Sequence, residues 1–301
     1  MRIGYPCINR SIGCTASRTF RLSSYSDNRL RDTVRENLTC LAKILSYNVN
    51  HNLLFFRITS DLVPFGSHPA CTFPWQEYFS GEFEQLGEYC RKNGFRISMH
   101  PDQFVLLNAP DEGVLQRSIA DLMYQVQVLD LMGLDNSAKV QVHVGGVYGN
   151  KTAGIDRFVN QYHLLDPSIR RRLVIENDER LYTVSDCLAI NEQTGIPVIM
   201  DSFHHSLHNN GERFADLLRP VRKTWKLADG IPMVDYSSQE PGKRAGAHAD
   251  HIVADNFRQF LAITRPADFD IMLEIKDKET SALEALGIAK GDPRLVTGYP
   301  A

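Results

Sequence analysis

Short runs of apolar and β-branched residues alternate along this chain with longer stretches whose apolar positions recur every three or four residues. The short runs predict strands over residues 2–8, 52–58, 96–100, 139–144, 172–177, 197–202, 232–237 and 270–275. Several are apolar at consecutive positions, as in Leu173-Val174-Ile175 and Val198-Ile199-Met200. A strand apolar on both faces is buried on both faces, which is the habit of parallel sheets covered by helices. The longer stretches predict helices over residues 29–47, 75–92, 112–132 and 252–263. In the first of these, Leu38, Leu41, Ile44 and Leu45 share one face, and Asp27 or Asp32 is placed to cap its start. Eight strands with helices between them predict an α/β fold, a single-domain (β/α)8 TIM barrel over residues 1–289. Gly291, Pro293, Gly298 and Pro300 predict an irregular C-terminal extension over residues 290–301.

Composition narrows the classes that remain. A chain of 301 residues with 43% apolar and 23% charged residues excludes long disorder. The net charge of −3 excludes a protein that coats nucleic acid by bulk positive charge. It leaves room for one that attracts phosphates through bound cations and a local basic patch. The six cysteines (Cys7, Cys14, Cys40, Cys71, Cys90 and Cys187) form no CxxC pair, so neither a zinc ribbon nor a disulfide framework is expected. Cys40, Cys90 and Cys187 fall in helical stretches and are expected in the core. The opening MRIGYPC carries no apolar leader, and no stretch approaches the roughly 20 apolar residues of a membrane span. A reduced, cytoplasmic protein without membrane contact is expected.

The chemistry lies in what ends the predicted strands. The third ends in His100, the fourth carries His143, the fifth ends in Glu176 and the sixth in Asp201. His204 and His205 follow Asp201, the seventh strand ends near Asp235, and the eighth carries Glu274. In a (β/α)8 barrel these ends converge on one face. One histidine at a strand end is more often a satisfied polar residue than a ligand. Six successive strands aiming His or carboxylate at one spot is another matter, because such a mouth is costly unless cations neutralise it. A mixed His/Asp/Glu set suits manganese, zinc or iron, and Glu176 or Asp201 is placed to bridge two ions. Of the adjacent pair, His205 is the weaker candidate, since one of two neighbouring histidines usually faces away.

Two loops suit a phosphate polymer. Gly145–Lys151 is glycine-rich, ends in Lys151 and precedes a helix, although glycine-rich loops are common. The loop after the seventh strand runs from Ser238 to His248, with Lys243 and Arg244 as candidate backbone grips and His248 as a candidate return to the metals. Its bland alternative is a solvated loop. Arg18, Arg21, Arg170, Arg171 and Arg172 are expected at the surface.

GYPCIN, FGSHP, SMHPDQF, VHVGGVYGNK, IENDER, MDSFHH, SSQEPGKRAGAH and LEIKDKE occur here in the order in which the UV damage endonucleases carry them. On these motifs, which run from Gly4 to about Lys278, the chain resembles that family, a relative of endonuclease IV. The resemblance implies two or three divalent ions, commonly Mn2+, with Zn2+, Mg2+ or Co2+ as alternatives. It implies metal-assisted nicking of damaged double-stranded DNA immediately 5′ of cyclobutane pyrimidine dimers and 6-4 photoproducts, by a monomer working at the nucleoid. His100, His143, Glu176, Asp201, His204 and Glu274 match metal ligands, and His248 and Asp235 join them. Tyr5, Asn9 and His68 match positions near the scissile phosphate, and Lys151 the glycine-rich loop. Gln103 and Phe104 match a pair that probes the damaged duplex, where an aromatic wedge fills the gap left by unstacked bases. Two positions depart from some relatives: Phe104 stands in place of Tyr, and Met233 and Asp235 stand where those relatives read Lys-x-His. The nearest alternative is an abasic-site endonuclease on the same barrel. A metal-dependent sugar isomerase uses similar strand ends, but Gln103-Phe104 and the basic loop speak against it. A barrel that binds DNA without cutting it would not need so full a ligand set.

Overall fold

The computed structural model describes residues 1–296; residues 297–301, the end of the extension expected from residue 290, lie outside the described residues. Eight parallel strands close into a barrel in sequence order. They are β1 (Ile3–Pro6), β2 (Phe55–Ile58), β3 (Arg96–Met99), β4 (Lys139–His143), β5 (Leu173–Glu176), β6 (Val198–Asp201), β7 (Met233–Tyr236) and β8 (Asp270–Leu273). The pairing of β1 with β8 completes the ring, and helices fill the crossovers, which is the TIM barrel. Each strand is shorter than its apolar run, because the flanking residues leave the ladder for the loops.

Some local expectations are corrected. The first long helix spans Asp27–Asn50, and its cap is Ser26 rather than Asp27 or Asp32. Ser26 is extended, with φ −154° and ψ 153°, and its hydroxyl accepts from the Arg29 N–H at 3.3 Å. The stretch over 75–92 is two helices, Trp75–Tyr78 and Ser80–Lys92, joined at the buried Phe79. Arg172 is not surface charge. It ends the helix Pro167–Arg172 and is buried, its guanidinium on the Asp130 carboxylate and on the carbonyls of Leu134, Asp135 and Ala138. Cys14 and Cys40 form a disulfide, against the reading of Cys40 as a free core thiol. The β1-to-helix loop folds back along the helix, where Asn37 exchanges hydrogen bonds with the Arg18 backbone at 2.9 and 3.0 Å. That brings together two cysteines whose separation of 26 residues matches no motif.

The barrel interior is layered, because residues two apart on a strand face the same way. At the N-terminal end sit charges: Arg96 pairs with Asp270 at 3.3 Å, and Lys139 with Asp229 at 2.5 Å. Above them Phe55, Val174, Ile199, Met233 and Met272, with Trp225, form a compact apolar cluster separate from the main core. Two residues further along the same strands come Arg57, Glu176, Asp201, Asp235 and Glu274. The apolar layer is thus the floor on which the polar residues stand, and Met233 is part of it. Met233→Ala should cost about 2–5 kcal/mol, the range for emptying a methionine-sized core site. Chemical unfolding of the metal-free protein measures this, and a loss below about 1 kcal/mol would show that the floor is loosely filled.

A candidate metal centre at the barrel mouth

The strand register brings the polar ends together. His143 on β4 lies opposite Glu176 on β5, and Asp201 on β6 opposite Asp235 on β7. The imidazoles form an arc: ring centroids are 5.3 Å apart for His100 and His143, 6.0 Å for His143 and His204, and 6.0 Å for His204 and His248. Two groups can each surround an ion, His100–His143–Glu176 and Asp201–Asp235–Glu274, with donor atoms within 4.8 Å of one another in each. Glu176 Oε1 lies 3.0 Å from His143 Nε2 and 3.6 Å from His100 Nε2. His204 stands beside the second group, 3.5 Å from Asp201 Oδ2, and His248 is 3.9 Å from Glu274 Oε2.

Three of the histidines have one ring nitrogen spoken for. Nδ1 of His100 meets the Pro101 carbonyl at 2.9 Å, Nδ1 of His204 the Asn177 carbonyl at 3.1 Å, and Nδ1 of His248 the Glu274 carbonyl at 2.9 Å. A carbonyl only accepts, so Nδ1 carries the proton and Nε2 keeps its lone pair. That is the backbone-anchored arrangement of metal-binding imidazoles. Asn177 also ties β5 to β6, donating to the Asp201 carbonyl at 3.1 Å and accepting from the Asp201 N–H at 2.9 Å.

Several polar atoms at the mouth are left over, and the carboxylate oxygens among them are ones a cation would take. His143 Nδ1, Glu176 Oε2, Asp201 Oδ2 and Asp235 Oδ1 are buried without a hydrogen-bond partner. Buried carboxylate oxygens rarely stay unpaired, so those of Glu176, Asp201 and Asp235 fit a bound positive group. The electrostatics agree. Burial, opposed by His204 and reinforced by Glu274 and Glu176, pushes the Asp201 carboxyl up to about 6. Burial together with the neighbouring carboxylates drives Asp235 well above its ordinary range, despite Arg57. For Glu176 burial is outweighed by His143 and His100, which hold it well below the usual carboxylate range. Arg57 does the same for Glu274, which falls to about 2, and Glu176 lifts His143 to about 9 against its burial.

The other candidates are distributed as follows. Tyr5 is buried, its hydroxyl donating to Asn48 at 2.7 Å and accepting from the Asn9 amide at 2.8 Å. His68 is exposed, with Nδ1 accepting from the Ala70 N–H at 3.1 Å. Gln103 and Phe104 lie on the loop after β3, and Phe104 is 74% exposed. Lys243 and Arg244 are exposed on a loop braced by Gln239, whose amide donates to the Arg244 carbonyl at 3.0 Å and accepts from the Gly246 N–H at 2.9 Å. Lys151 is committed to Asp186 at 2.6 Å. The glycine-rich loop owes part of its composition to packing. Gly145 has φ +113°, and a Cβ there would fall 2.2 Å from the Asn108 side chain, which bonds Gly146 on both sides. His205 faces away, with Nε2 on the Glu212 carbonyl at 3.0 Å. The sequence reading missed Arg57 and Gln141, which reach into the centre from β2 and β4. Their signal was a polar side chain flanked by apolar ones, Arg57 between Phe56 and Ile58 and Gln141 between Val140 and Val142.

A parallel barrel with a His/carboxylate cluster at its C-terminal mouth defines a TIM-barrel protein with two side-chain groups that could hold a metal ion. A family model described as UV-endonuclease UvdE matches residues 1–290. The chain therefore belongs to the UV-endonuclease family. The UV DNA damage endonuclease of Clostridium perfringens is 36% identical over 96% of this chain and 71% of its own length. The crystal structure of SacUVDE superposes with a TM-score of 0.94 at 45% identity, covering 98% of this chain and all of that one (100%). Endonuclease IV from Thermus thermophilus shares the fold, with a TM-score of 0.59 at 18% identity over 96% of this chain and 98% of that one.

The shifts predict how the metal-free protein responds to pH. Asp201 binds its proton more tightly folded than unfolded, so its contribution to stability is lost as pH rises from the ordinary carboxylate value to about 6. The contribution of His143 is fully present below the ordinary imidazole value and is lost as pH rises through about 9. Both act in the same direction. The unfolding midpoint of the chelator-treated protein should therefore fall between about pH 5 and pH 9, and Mn2+ should recover it most at the alkaline end. A midpoint that rises over that window would contradict the cluster electrostatics.

Proposed function

We propose that this chain is a DNA repair nuclease that nicks damaged double-stranded DNA immediately 5′ of pyrimidine dimers and 6-4 photoproducts, acting as a monomer with two or three divalent ions, Mn2+ foremost. The observation that carries this reading is the set of unpaired buried carboxylate oxygens on Glu176, Asp201 and Asp235, beside imidazoles whose Nδ1 atoms are anchored on carbonyls. Ions bound by His100, His143 and Glu176, and by Asp201, Asp235 and Glu274 with His204 and His248 alongside, supply Lewis acidity and neutralise phosphate charge.

The protein's own groups do the rest. Glu176 stands between two imidazoles and is held ionised by them, so it offers two oxygens at neutral pH. Asn9 donates to the Tyr5 hydroxyl, which donates in turn to Asn48, so the two are held in a fixed, buried chain and would have to be uncovered to meet a phosphate. The exposed ring of Phe104, next to Gln103, is suited to fill the space vacated by unstacked bases. Damaged steps are cheaper to unstack, so part of the selectivity comes from duplex deformability. Lys243 and Arg244 offer backbone grips on a loop that is already braced. His68 is free to reach a flanking phosphate. Lys151 would have to leave Asp186 to do so.

The test uses purified protein, Mn2+ and duplexes bearing a single pyrimidine dimer, a 6-4 photoproduct or an abasic site, with the nick mapped on both strands. Incision on the 5′ side of the photoproducts is expected; cutting at the abasic site alone would make this an abasic-site enzyme. Glu176→Gln should lower incision by more than about 100-fold while leaving the unfolding transition cooperative. Wild-type nicking by that variant would remove the metal centre from the mechanism. Phe104→Ala should reduce the preference for damaged over undamaged duplex by about tenfold, the worth of one stacking contact, with metal content unchanged. Equal preference in the two proteins would remove the wedge.

A further inference from the structure

We propose that Arg57 is a resident cation of the centre: it occupies the place a third metal ion would fill between Asp235 and Glu274, and so limits the Asp201–Asp235–Glu274 group to one ion and the whole centre to two. The inference rests on the metal-centre reading above and sharpens it. Arg57 leaves β2 and points into the barrel, where it is 3% exposed. Its Nη2 donates to Asp235 Oδ2 at 2.8 Å and to Gln141 Oε1 at 2.9 Å, and its Nη1 donates to Glu274 Oε1. Gln141 Nε2 donates to the same Asp235 oxygen at 2.5 Å. Oδ2 of Asp235 thus accepts two N–H donors, which fill its two lone-pair directions. The free acceptor atoms lie elsewhere, on Asp235 Oδ1 and Asp201 Oδ2.

The charge balance points the same way. With an ion bound all three carboxylates would be ionised, and together with the guanidinium they would carry two negative charges, the complement of a single divalent ion. A guanidinium cannot shed its proton as a lysine can, so this charge is permanent. Gln141 is itself fully buried and locks the guanidinium and Asp235 to each other. Met233 lies in the apolar floor one residue pair below Asp235, so no further ligand rises from β7 to hold another ion on this side.

The test is metal stoichiometry, read by elemental mass spectrometry after Mn2+ loading and removal of loose ions. Wild type should retain two ions per chain. Arg57→Leu should retain about one more, because Asp235 Oδ2 and Glu274 Oε1 are released to a cation. Its metal-free form should unfold at a lower temperature than metal-free wild type and gain more from Mn2+. Arg57→Lys keeps a charge in place and should stay at two ions. An unchanged or reduced metal content in Arg57→Leu, or a third ion in wild type, overturns the proposal. Should the leucine variant not fold, Mn2+ anomalous scattering from wild-type crystals decides. Ions bonded on the Oδ1 side of Asp235, with Arg57 still on Oδ2, uphold the proposal; an ion bonded to Oδ2 overturns it. If wild type retains no metal at all, the metal centre falls together with it. If wild type is loaded and the variant alone is indifferent, only the role of Arg57 falls.

Discussion

Four carboxylates converge at the barrel mouth, and the surrounding side chains are arranged around keeping them there. Glu176, Asp201 and Asp235 are buried and Glu274 nearly so, yet like charges at such range repel strongly in a medium less polar than water. Two kinds of compensation are built in: a guanidinium in the same layer and imidazoles on one side. Taking out either leaves charge without a counterpart in a largely buried site. This repulsion, more than hydrophobic contact, explains why the mouth contains so many bonds that run from side chain to backbone.

The barrel makes the arrangement affordable by separating its tasks along its axis. Charged pairs close the N-terminal end, an apolar plug fills the middle, and the reactive layer rests on top. Because a strand's faces alternate, each of β5 to β8 delivers one apolar side chain to the plug and, two residues on, one acidic side chain to the mouth. The position of every acid is therefore set by the packing of the residue beneath it. Rigidity at the mouth is inherited from the plug and from Asn177, which ties two neighbouring strands where their acids emerge.

Much of this was legible in the residues because a parallel barrel converts sequence pattern into geometry with few choices. Consecutive apolar residues marked the strands, and the register then had to bring their ends together, so His143 and Glu176 meet without any need for long-range information. What could not be read is what depends on loops and on the inner faces. Arg57 and Gln141 lie in mid-strand, and only the closed ring reveals that they reach the acids of β7 and β8. The pairing of Cys14 with Cys40 depends on a loop folding back along a helix, a path that spacing does not encode. Lys151 read as a free cation, but the capping acid of a neighbouring helix, Asp186, had already claimed it. The break at Phe79 and the burial of Arg172 are tertiary outcomes of the same kind, in which one buried side chain overrides a continuous helical or basic pattern.

The loop that bears Lys243 and Arg244 ends on His248, and it is no loose flap. Gln239 cross-links its interior, an antiparallel bridge joins Gln239 to His248 at its base, and the imidazole of His248 is pinned to the backbone of β8 at Glu274. The two basic side chains and the imidazole are thus carried on one cross-linked segment, so the spacing between them is set by the loop's own hydrogen bonds.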